Sequence, residues 1–320
     1  MQRASRATSP IKGEEERDLS FSASFPFMGE VARRVFLRRD GGGVGPRVAR
    51  APAVFALATL IGLASGAAAG PRVYSLDQCA DQYVLALSPR DDIVGLSKRA
   101  TKGDSYLRAR VGALPLRRAT SESVLAAAPA VVVRWWGGDD RLLADLRRRG
   151  ARVVAIDDAA DFPGVRGNIR RVAAALGRRA AGERLIARMD ARLAAARGAW
   201  GGVGALYLTS GGDTAGGDTL IDAMLRAAGL SNLTPGRGFH SLSLERLILD
   251  PPTALVLGFF DAAVDAFQHW SLGRRAPLAR LAAQRAIVSL PAAVLACPAW
   301  FAADGALTIA RAPRRVRQAI

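Results

Sequence analysis

At 320 residues with 50% hydrophobic content, the chain can bury two ordinary α/β cores and is too apolar to be disordered. Its 45 basic and 28 acidic residues leave a net charge of +17, which raises nucleic acid as a partner. That partner is excluded from the expectation: the arginines lie in helix-like stretches such as 141–152 and 166–197, mixed with Ala, Leu, Asp and Glu as on solvated faces, and no nucleic-acid-binding motif is present.

Residues 1–69 read as an N-terminal extension and signal peptide. Arg47 and Arg50 precede the apolar run from Ala51 to Leu63, and the small residues Ala64 to Ala69 follow, in the order of a secretory leader cleaved after Ala69. The apolar part is shorter than the roughly 20 residues of a spanning helix. The segment before it is too polar for a leader, so translation is expected to start at Met28 or later. An exported chain with two remaining cysteines, Cys79 and Cys297, permits a disulfide between the two ends of the mature protein.

Short apolar runs at 72–76, 93–96, 131–133 and 153–156 alternate with helical stretches at 81–87, 121–127 and 142–149. Pro129 and Gly150 break the chain before the third and fourth runs. Strands separated by crossover helices predict a parallel sheet in a lobe covering 70–164. From 165 to 201 the period is helical throughout (Ile169, Val172, Leu176, Leu185, Ile186, Met189, Leu193), which predicts one long connecting helix, with a kink near Gly177 or Gly182. The alternation restarts in a second lobe, 202–312: strands at 205–208, 254–257 and 286–290, helices at 220–228, 242–249 and 278–284. A basic tail, 313–320, closes the chain. The fold class is α/β, two lobes of parallel-sheet βα units joined by a long backbone helix.

This arrangement resembles the metal-chelate class of solute-binding proteins that serve ABC importers, the cobalamin and ferric-siderophore binders. The resemblance covers nearly all of the mature chain. It is carried by Ser75 to Gln82, the segment 122–133, Trp135-Trp136-Gly137-Gly138, Gly229-Leu230-Ser231-Asn232 and Ser243 to Leu247 before Asp250-Pro251-Pro252. One departure is Ala130, where the family often has Asp. The resemblance implies a periplasmic protein with no cofactor or resident metal, expected to be a monomer. It would hold a small-molecule metal chelate between its lobes and deliver it to a permease dimer. It also implies that Glu122 and Glu245, each opening a helix that precedes a proline and a strand, dock on that permease. The bland reading of both is a carboxylate favoured by the helix dipole.

In open parallel sheets, ligands gather beyond the carboxyl ends of strands. That rule selects Cys79 after the first strand, Ser97 after the second, Trp135, Trp136 and Gly137 after the third, and Thr209, Ser210, Gly211 and Asp213 after the first strand of the second lobe. Adjacent tryptophans alternate faces, so at least one should stand exposed, offering an aromatic surface to a corrin, porphyrin or catecholate. Phe239 and His240, then Phe259 and Phe260, and Trp270 are further candidates. The 209–218 loop lacks the lysine of a phosphate loop, and His240 and His269 complete no metal-ligand spacing.

An enzyme remains the alternative reading. A hydrolase would need a nucleophile elbow, and no Gly-x-Ser-x-Gly occurs. Two-lobed redox proteins built on metal clusters need more cysteine ligands than the two present here.

Overall fold

The valine run Val131, Val132 and Val133 is buried in full, as a strand covered on both faces must be. In the computed structural model, which describes residues 70–261 and 276–313, it forms β4 (Val131–Arg134). Around it lie β1 (Val73–Ser75), β2 (Ile93–Ser97), β3 (Leu116–Arg117) and β5 (Arg152–Ala155), in a parallel sheet of order β3-β2-β1-β4-β5. Helices α1 (Gln78–Leu87), α2 (Ser121–Ala126) and α3 (Asp140–Arg148) make the crossovers. Their starts are set by side-chain caps: Asp77, Thr120 and Asp139 each accept backbone N–H groups of the first turn.

The second sheet has β6 (Gly204–Thr209), β8 (Ser231–Asn232), β10 (Ala254–Gly258) and β11 (Ala286–Leu290) in the parallel order β11-β10-β6-β8. Its helices are α6 (Leu220–Ala227), α7 (Leu244–Leu249) and α8 (Ala276–Arg285), followed by α9 (Ala292–Leu295) and α10 (Ala302–Arg311). The segments expected to be loops at 209–218 and 239–241 are partly strand. Asp213–Ala215 (β7) pairs antiparallel with Phe239–Ser241 (β9), Thr214 opposite His240. Thr214 explains the pairing, because its buried hydroxyl donates to the Tyr207 carbonyl at 2.7 Å and pins β7 onto β6.

The expected single helix over 165–201 is corrected. The segment holds two helices, α4 (Phe162–Ala175) and α5 (Arg179–Ala196), with the break at Gly177, whose φ of 66° ends a helix as glycine readily does. The two run antiparallel: Arg166 pairs with Asp190 and Arg170 with Glu183, and Gly182 lies so close to α4 that a Cβ there would be 2.6 Å from that of Ala173. The 18-residue α5 is the long helix leading to the second sheet.

Both sheets belong to one compact unit. The C-terminal segment returns to the first sheet's helices. Cys79 of α1 forms a disulfide with Cys297, the Tyr83 hydroxyl donates to the Pro298 carbonyl at 2.7 Å, and the Tyr106 ring stacks on Phe301 with centroids 4.3 Å apart. Asp304 of α10 joins Arg192 of α5 in an ion pair and accepts the Tyr106 hydroxyl. The leader expected at 1–69, the candidate Trp270, and the tail from 314 lie outside the described residues.

Candidate functional site

Strand order changes direction between β1 and β4 in the first sheet and between β6 and β10 in the second. Crevices for ligands open at such points. At the first, Asp77 follows β1 and is 1% exposed. One carboxylate oxygen caps α1 by accepting the N–H groups of Cys79 and Ala80; the other accepts those of Trp135 at 2.7 Å and Gly137 at 3.1 Å. One buried carboxylate therefore sets the shape of the double-tryptophan loop. Gly137 completes it, since a Cβ there would lie 2.7 Å from the Leu76 carbonyl oxygen. The tryptophans diverge as alternation demands: Trp135 is half-buried and its indole N–H donates to Asp158 at 2.6 Å, whereas Trp136 is 61% exposed.

Trp135 and Asp158 form one side of a cavity of about 820 Å³ whose other walls come from the second sheet. Those walls include Thr209 after β6, Asp213, Phe239 and His240 of the β7–β9 pair, and Phe259 after β10. Phe259 has φ 62°, an unfavourable conformation for a bulky residue and of the kind that collects at sites; its carbonyl accepts the Ser210 hydroxyl at 3.2 Å. Tyr207 and Met224 supply further apolar wall, and the segment 294–298 closes the lining. The Tyr207 hydroxyl is buried with no hydrogen-bond partner among the described residues, and burial pushes its pKa up, which keeps the phenol neutral.

Of the residues selected from sequence, the fold thus brings together Trp135, Thr209, Asp213, Phe239, His240 and Phe259. Cys79 and Ser97 are corrected: both are buried and neither lines the cavity, Cys79 lying behind it in the disulfide to the lining residue Cys297 and Ser97 being hydrogen-bonded to Asp81. Trp136, Gly137, Ser210 and Gly211 belong to the flanking loops without lining the cavity, and Phe260 packs against the separate apolar cluster that includes Leu206 and Leu257. Asp158 and the segment 294–298 were not selected. Extending the strand-end rule to the strands at 153–156 and 286–290 would have pointed to both.

Asp81 is 0% exposed and accepts the Ser97 N–H at 2.9 Å, the Ser97 hydroxyl at 2.6 Å and the Ser75 hydroxyl. Burial pushes its pKa up to about 7, against the hydrogen bonds, which favour the anion. A carboxyl whose folded pKa is raised stabilises the fold fully below its ordinary value near 4, and that contribution is lost as pH rises through about 7. The melting temperature should therefore decline across that window, and Asp81→Asn should flatten the decline. Thermal denaturation at pH 4 to 8 checks this; an unchanged profile in the variant would contradict it.

Among the described residues no group of three or more His, Cys, Asp and Glu is placed to hold a metal ion. The molecule is an α/β protein with two parallel sheets and an aromatic-walled crevice beyond the carboxyl ends of both. The periplasmic binding protein family model matches residues 73–259, and the chain belongs to that family, which implies a periplasmic location. The structure is similar to the periplasmic heme-binding protein RhuT from Roseiflexus sp. RS-1, with 26% identity, 75% of this chain and 95% of that chain covered, and TM-score 0.57. It shares its fold with the periplasmic heme-binding protein HutB of Vibrio cholerae (19%, 75% and 97%, 0.60) and the periplasmic vitamin B12-binding protein BtuF of Vibrio cholerae (17%, 76% and 97%, 0.52). No curated protein sequence matches the chain. The resemblance to metal-chelate binders read from the sequence is borne out; the family and these neighbours are binding proteins.

Proposed function

We propose that this protein captures a preassembled metal chelate between its two sheets and hands it to the permease of an ABC importer, without chemical change. The observation that carries the reading is the cavity of about 820 Å³ with Trp135 on one side and Phe239 and Phe259 on the other. Its size falls in the range of roughly 300 to 1,000 Å³ usual for small-molecule sites, and its aromatic walls suit a broad chelate that loses water on contact. Metal enters as part of the ligand. The leader ending near Ala69 would export the chain, and Glu122 and Glu245, both exposed in the first turns of α2 and α7, would meet the permease. The disulfide and α5 tie the two halves together, so closure on binding should be small.

Tryptophan fluorescence of the mature chain from Gly70 onward, titrated with cobalamin, haemin and ferric siderophores, tests the proposal. Saturable one-to-one quenching by one of them is expected. Trp135→Ala should weaken that binding by about 10- to 100-fold, the loss of one buried aromatic contact. A folded protein silent across the panel, or one that converts the chelate, would contradict it.

A further inference from the structure

The charge of the cavity wall narrows the ligand class. Arginine and lysine make up 45 of the 320 residues, yet none lines the cavity among the described residues. Three carboxylates do: Asp158 beside Trp135, Asp213 on β7, and Asp218 before α6. Asp218 is compensated by Arg237 at 2.8 Å. Asp158 and Asp213 are held by neutral donors, the Trp135 indole N–H at 2.6 Å and the Ser241 hydroxyl at 2.8 Å, and neither has an ion-pair partner among the described residues. The nearby Arg134 turns its Nε to the Gly137 carbonyl at 2.7 Å. Among the described residues, His240 is the one lining side chain able to carry positive charge.

Resting on the chelate-binding reading above, we infer that the ligand is an uncharged or cationic chelate, with ammonium or amide donors facing Asp158 and Asp213, and not a polyanionic one. A strongly basic protein that meets its ligand with two exposed carboxylates lacking ion-pair partners disfavours carboxylate-bearing or catecholate chelates at short range, because a ligand seated against Asp158 and Asp213 displaces the water that screens them and brings like charges together. Hydroxamate complexes of ferric iron and amide-rimmed corrinoids fit this wall. A porphyrin with two propionates finds no arginine or lysine among the described lining residues.

The test compares, by calorimetry on the mature protein, ferrioxamine B with its free ammonium, neutral ferrichrome and cyanocobalamin, anionic ferric enterobactin, and haemin. The expected result is binding by one of the cationic or neutral chelates at least tenfold tighter than by either anion. If ferrioxamine B is the ligand, raised salt weakens its binding and Asp158→Asn and Asp213→Asn, which keep the acceptor oxygens, each weaken it by about three- to tenfold. Preference for haemin or ferric enterobactin would overturn the inference and leave the chelate-binding reading standing. Binding of none of the five would overturn both.

Discussion

Replacing Glu122 and Glu245 together by arginine is expected to abolish chelate uptake by cells while changing the affinity of the purified protein by less than about twofold. Both side chains are exposed, in the first turns of α2 and α7, and neither lines the cavity. A carboxylate in a first helical turn stabilises by about 0.3 to 1 kcal/mol, so reversal costs little folding energy, and Thr120 still caps α2 through the Ser123 N–H. The effect on uptake should be large because a permease surface that receives two carboxylates is basic, and the reversed charges would be repelled by it and left unpaired. Uptake at normal levels by the double variant would place permease recognition elsewhere on the protein. Loss of uptake together with loss of affinity would point to damage at the cavity instead.

Removal of the disulfide has the second large expected effect. Cys79 and Cys297 are 218 residues apart in sequence, so the bridge closes nearly the whole described chain into one loop. Opening a loop of that length in the unfolded ensemble should cost about 2 to 5 kcal/mol of stability. For a domain of this size that lowers the melting temperature by roughly 5 to 15 °C. The paired serine variant, Cys79→Ser with Cys297→Ser, isolates the covalent effect from that of a stranded thiol. Binding should weaken as well, because residues 294–298 line the cavity and the bridge anchors them to α1. The Tyr83 hydroxyl, donating to the Pro298 carbonyl, would remain as a second anchor, so binding should be reduced and not lost. A melting temperature within a degree of the wild type would mean that the aromatic contacts of Tyr83 and Tyr106 with Trp300 and Phe301 suffice to hold the two ends.

Much of this architecture was legible from the sequence because the signals were local. Val131 to Val133 can be little but a buried strand, and Gly150 with its φ of 81° stops α3 before β5. The elements that escaped depend on distant partners. Helix α10 contains Gly305, an unfavourable helix residue, and the structure gives its reason: a Cβ there would lie 2.8 Å from the Met224 sulfur, so glycine lets α10 approach α6. Strand β7 is three residues long and exists through its pairing with β9 and the Thr214 hydroxyl bond to β6. The turn at Gly177 looked like a kink because apolar spacing continues on both sides of it; whether a helix bends or doubles back is decided by what α4 and α5 pack against.

The site divided in the same way. Trp135 was predictable from strand-end logic and from the alternation of adjacent side chains. Asp77 was not, because its part in shaping the Trp135 loop requires β1 and β4 to be neighbours, which strand order alone reveals. Asp158 sits in an acidic run that reads as a helix entry, and Asp161 does cap α4, while Asp158 instead meets the Trp135 indole. Cys79 drew notice as a loop residue at a strand end; being the second residue of α1, it is turned inward to the bridge.

The most direct test of a binding protein with its ligand in this cavity is isothermal calorimetry of the mature chain with the chelate that quenches its fluorescence, alongside Trp135→Ala and Phe239→Ala, with the chelate recovered and analysed afterwards. The account predicts one site per chain, at least tenfold weaker binding in both variants, and chelate recovered unchanged. Full affinity in both variants, or a chemically altered chelate, would contradict it.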